Sequence, residues 1–113
     1  MTTSCCAGYN NLIAQHLPEI KPFVSTTKTP MYYTAEMLRK EQPNSILVFV
    51  SPCVAKRREV QENPNVDYLM SYEEMGALFI AKQIDVAAQE PTPFRKESSK
   101  EGRNFGFIGV FCL

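Results

Sequence analysis

The sequence predicts an α/β fold with a small, mostly parallel sheet flanked by helices. Three observations carry this reading. Helix-like and strand-like segments alternate along the chain, which calls for crossover connections between parallel strands. The run from Ile46 to Val50 is apolar without alternation, as in a strand covered on both faces. Two segments open on side-chain capping signals, one at Thr29-Pro30 and one at Ser71 with Glu74. The 113 residues suffice for one ordinary domain with a modest core, and the 44% apolar fraction suits a folded chain rather than a disordered one.

In chain order, Tyr9, Leu12, Ile13 and Leu17 have helical spacing, and Pro18 closes the segment. Lys21 to Lys28 reads as a loop. Thr29 then supplies a cap and Pro30 the first helical position, with Met31, Ala35 and Leu38 continuing the helix to about Glu41. Ser45 to Val50 is a strand bounded by Pro43-Asn44 and Pro52. Val66 to Met70 is a second strand, followed by a helix carrying Met75, Leu78 and Phe79. Gln89 to Arg103 is polar and reads as a loop. Phe105 to Leu113 reads as a last strand. No internal repeat is visible.

Composition excludes several classes. Twelve basic residues balance twelve acidic ones, so nothing steers the chain toward nucleic acid or an anionic membrane. Its longest apolar run is far too short to cross a bilayer. The N-terminal residues show no basic start and no apolar stretch before a cleavage site, so a cytoplasmic, reducing location is expected. His16 reads as a polar surface or boundary residue. Met31, Met37, Met70 and Met75 read as core filler, and Tyr32 and Tyr33 as buried.

The chemistry-bearing residues are cysteines. In a reducing compartment they are poor disulfide candidates, and a bridge between the neighbours Cys5 and Cys6 is strained. Cys53 directly follows a predicted buried strand, where open α/β sheets place ligand-binding loops. Lys56, Arg57 and Arg58 bring cationic side chains after it, a setting that favours the thiolate form metals bind. Cys5 and Cys6 sit just before the first helix. Two thiolates on two loops suit iron–sulfur or zinc, but ordinary buried thiols explain the spacing equally well. On the residues alone, Lys56 with its neighbours reads as a solvated basic turn and Ser25 as a loop hydroxyl.

Motif order goes further. Thr3-Ser4-Cys5-Cys6 resembles the first cysteine motif of iron-only hydrogenases, and Pro52-Cys53-Val54-Ala55-Lys56-Arg57-Arg58-Glu59 resembles the second. Val24 to Pro30 is similar to that family's Ser-x-x-Lys-Ser-Pro loop, Val66 to Glu74 to its strand-to-helix segment, and Phe105 to Val110 to its Phe-Gly-x-x-Gly-Gly-Val stretch. The resemblance implies one lobe of a two-lobed hydrogenase domain. In such domains an H-cluster, a 4Fe–4S cubane joined to a di-iron subcluster, interconverts H2 with protons and electrons. It further implies that Cys6 and Cys53 are cubane ligands, that Cys5 is the thiol passing a proton and that Ser25 continues the proton path. By the same matching, Lys56 hydrogen-bonds an iron-bound cyanide, Pro30 lines that pocket, and Glu59 is the acidic residue past the second motif.

Departures accompany the matches. Ser51 stands at the cluster-contacting position where the family usually has methionine. Met31 replaces a common glutamine, and Ala7 replaces a proline. The third motif, with two further cysteines, is missing, and Cys112 lacks its context. We therefore expect residues 1–113 to be a partial H-cluster domain, truncated at both ends relative to the family and inactive alone. Its expected partner is a ferredoxin-type electron carrier, the missing lobe, or a second copy of itself. Two alternatives stand beside this: a hydrogen-sensing relative, and a non-catalytic remnant acting as an interaction module.

Overall fold

A computed structural model of the protein describes residues 1–94. The expected strand at Phe105–Leu113, most of the polar loop before it, and Cys112 lie outside the described residues. The fold opens with helix α1 (Ala7–His16) and a 3-10 turn (Pro18–Phe23). Helix α2 (Pro30–Glu41), strand β1 (Val48–Val50) and helix α3 (Lys56–Gln61) follow. Strand β2 (Tyr68–Met70), helix α4 (Tyr72–Ala81) and a short 3-10 turn (Val86–Ala88) complete it. Strands β1 and β2 pair in parallel, Val48 with Tyr68 and Val50 with Met70. Their connection runs through α3, so the α/β reading holds.

Local chemistry explains the helix starts. The Thr29 hydroxyl accepts from the Tyr32 N–H, and Pro30 takes the first position of α2, where no amide partner is needed. Ser71 accepts from the Glu74 N–H at 3.1 Å, while the Glu74 carboxylate accepts from the Ser71 N–H at 2.7 Å. This reciprocal pair satisfies two donors that the helix itself leaves open. At the other end of α4, the Ile84 N–H donates to the Phe79 carbonyl and the Gln83 N–H to that of Ile80. That is the Schellman arrangement, with Gln83 in the left-handed region at φ 55°.

The core of the described residues is small: Ala7 and Ile13 of α1, Met31 and Ala35 of α2, and Val60 of α3. Several expectations need correcting. The first strand is not covered on both faces, since Ile46 and Val48 are 71% and 45% exposed. A sheet of two strands is too narrow to have both faces shielded by the helices present. The loop expected at Lys21–Lys28 begins inside the 3-10 turn that Pro18 initiates. Lys56–Gln61, read as a basic turn, is the helix α3. Met37 and Tyr33 are exposed rather than buried, whereas Met31 fills the core as expected. His16 is exposed in the last turn of α1.

Candidate functional site

Residues 1–5 are fastened to the segment after the first 3-10 turn. The Thr2 N–H donates to the Phe23 carbonyl at 2.7 Å, and the Ser25 N–H donates to the Thr2 carbonyl at 2.9 Å. Ser4 Oγ donates to the Thr27 carbonyl at 2.5 Å, and Asn10 Nδ2 donates to the Ser4 carbonyl at 2.8 Å. Together these bonds set Cys5 and Cys6 at the entrance to α1. Cys6 is the N-cap of that helix, its Sγ accepting from the Tyr9 N–H at 3.5 Å. Cys5 is half-buried and its Sγ accepts from the Thr3 hydroxyl at 3.1 Å.

Cys53 lies on the loop that leaves β1 and enters α3. Its N–H donates to Ser51 Oγ at 3.1 Å, and its carbonyl accepts from the Lys56 N–H at 3.2 Å. Ser51 is buried, and its own N–H donates to the Met70 carbonyl of the neighbouring strand. The two cysteine loops meet at Gly8. A methyl group there would lie 3.8 Å from Cys6 Sγ and 3.9 Å from the Ala55 methyl. The thiols of Cys6 and Cys53 are both exposed.

A second group of predicted residues gathers around Glu59. Lys56 Nζ donates to Glu59 Oε2 at 2.5 Å, with both side chains more than four-fifths buried. The other carboxylate oxygen, Oε1, accepts from the buried Thr29 hydroxyl. Glu59, Thr29 and Ser25 line one cleft of about 550 Å3 between α1, the 24–29 segment and α3. Cys5, Cys6, Cys53, Pro30, Ser51 and Lys56 do not line it. Pro30 is exposed and borders a separate apolar groove of about 290 Å3 with Met31, Leu38, Leu47 and Phe49. The structure thus brings Ser25 and Glu59 to one cleft, and pairs Lys56 with Glu59. It places Cys6 and Cys53 on adjoining loops and puts Pro30 on another groove.

The expected cationic surround of Cys53 takes a different form. Lys56 pairs with Glu59, Arg57 with Glu74 at 2.7 Å, and Arg58 with Glu62 at 3.0 Å. Each cation is matched by a carboxylate because α3 presents charges at i,i+3 and i,i+4 spacing and faces α4. The Arg57 guanidinium, followed by the Ser71 N–H, holds the Glu74 carboxyl below its usual range. Thr29 escaped the sequence reading as a site residue. Its capping pattern was legible, but a bond reaching 30 residues along the chain leaves no local signal.

Iron–sulfur clusters take thiolate ligands, four for a cubane. Cys6 and Cys53 are right in kind and half in number. Among the described residues, no three His, Cys, Asp or Glu side chains gather as a metal-binding group. The described residues therefore offer ligands of the right type and do not make a complete site.

Comparison with known proteins places this geometry in context. Residues 1–111 match the family described as iron only hydrogenase large subunit, C-terminal domain. The chain is 30% identical over 100 residues to the NADP-reducing hydrogenase subunit HndD of Solidesulfovibrio fructosivorans, covering 75% of this chain and 17% of that protein. It is 27% identical over 124 aligned positions to the periplasmic Fe hydrogenase large subunit of Nitratidesulfovibrio vulgaris, covering 96% of this chain and 29% of the relative. The chain thus spans less than a third of the length of either. A variant of the apo FeFe-hydrogenase of Chlamydomonas reinhardtii superposes with a TM-score of 0.74 at 23% identity, over 85% of this chain and 28% of that one. That likeness is one of fold.

Proposed function

This chain belongs to the iron-only hydrogenase large-subunit family, and we propose that it forms one wall of an H-cluster cavity, contributing two of the cubane's four thiolates. The observation that carries the proposal is the meeting of the Cys6 and Cys53 loops at Gly8, in a chain matched to the family over residues 1–111. Cys6 and Cys53 are the ligands in this reading. Cys5 and Ser25 are the proton-carrying side chains, and Lys56 is a hydrogen-bond donor on the wall. Ser51, whose hydroxyl accepts from the Cys53 N–H, completes the surroundings, while Pro30 stays on its separate groove. When bound, the cluster supplies the hydrogen chemistry, while the protein binds, orients and shields it.

Half a ligand set cannot close a site. The isolated chain is therefore inactive in hydrogen turnover, and the remaining wall comes from further hydrogenase sequence, whether in the same chain or another. An electron carrier is the natural exchange partner of an assembled site.

Anaerobic reconstitution with iron and sulfide tests the reading. We expect iron uptake that falls to background in C6S and in C53S, survives in C112S, and yields no H2. Iron content indifferent to both substitutions, or no iron uptake at all, overturns the ligand assignment and favours a metal-free interaction module. H2 evolution by the isolated chain overturns the proposed inactivity.

A further inference from the structure

The proton positions around Glu59 follow from the hydrogen bonds on each side of it. The Thr29 hydroxyl caps α2 by accepting from the Tyr32 N–H, so its single proton is left to donate, and Glu59 Oε1 receives it. Glu59 Oε2 accepts from Lys56 Nζ. Donors thus point inward from both sides onto one carboxylate. A carboxylate held this way has each oxygen engaged as an acceptor. Lys56 is different. An ammonium has three N–H donors, and among the described residues Glu59 is its only side-chain partner.

We infer that Thr29 and Glu59 are positioning residues that clamp the Lys56 ammonium, so that the donor proposed for the cavity wall is held in one rotamer with N–H groups to spare. The inference rests on the proposed role of Lys56 as a donor on the cavity wall, and gives Glu59 the part of its anchor. The clamp also ties the N-terminus of α2 to α3, the helix that leaves the Cys53 loop. Burial makes it effective. A lysine in open water samples many rotamers, whereas here both members of the ion pair are more than four-fifths covered.

The test is side-chain NMR of the 15N-labelled, metal-free chain, following Lys56 Nζ. In the native protein its order parameter should lie in the rigid range, about 0.8, and fall below about 0.6 in T29V and in E59Q. T29S, which keeps a hydroxyl that both caps and donates, should restore it. Backbone amide spectra of α2 and α3 should stay native in E59Q, which leaves the cap intact and decides the matter if T29V does not fold. Undiminished Lys56 order in E59Q, or failure of T29S to restore it, overturns the inference. No iron is present, so these outcomes leave the ligand assignment of Cys6 and Cys53 untouched, as iron uptake leaves the clamp.

Discussion

At the scale of single residues, Arg39 binds more of the fold together than any residue picked out by motif. From the last turn of α2 its guanidinium donates to the carbonyls of Pro43, Ser45 and Asn65 and to Asp67 Oδ2, the last at 2.7 Å. The same Asp67 oxygen accepts from the Leu47 N–H at 2.7 Å. The turn before β1 and the approach to β2 are thereby pinned to one helix end, a task for a planar fork that lysine cannot reproduce. The Leu47 N–H and then Arg39 hold the Asp67 carboxyl below its ordinary value of 3.8. A depressed folded-state pKa adds stability that is full above the unfolded value and is lost as pH falls through and below it toward the folded one. Urea midpoints should therefore show D67N less stable than the native chain at pH 6, with the gap narrowing by pH 3. A gap that is constant with pH would mean that Asp67 contributes shape rather than charge.

At the scale of elements, α4 is held by its two ends, and its interior and C-terminus carry two correctable costs. Gly76 sits mid-helix with nothing within 4 Å of where a methyl would be, and Gln83 occupies a left-handed position that glycine adopts freely. G76A and Q83G should each stabilise the chain by about 0.5–1 kcal/mol, read as a rise of several degrees in melting temperature. The opposite directions of these glycine changes make the pair a check on the helix boundary at Ala81. Helices α2 and α4 were legible in the sequence because their caps are local: Thr29-Pro30 and Ser71 with Glu74 lie within one turn of what they satisfy. Helix α3 was not, since Lys56 to Gln61 offers one buried apolar residue, Val60, and is held by ion pairs that periodicity does not register. The same division runs through the site. Cys6 and Cys53 announce themselves by motif, whereas Thr29 joins Glu59 only once α2 and α3 are packed.

At the scale of the whole molecule, the described residues leave α4 short of burial. A ten-residue helix is marginal in water and needs tertiary contacts on its apolar face. Yet none of its residues is buried, Ile80 is 80% exposed, and Tyr72 and Leu78 are exposed with it. Burying one such side chain contributes about 1.5–3 kcal/mol, comparable to the worth of both glycine corrections together. A second copy of the chain would supply such cover, bringing an equal apolar face at a concentration the experimenter sets. Sedimentation equilibrium should accordingly give an apparent mass that rises with concentration. I80E should shift it toward the monomer while leaving far-ultraviolet circular dichroism unchanged. A single monomeric mass at every concentration would show that α4 finds its cover within its own chain, and an association unaltered by I80E would place the contact on another face.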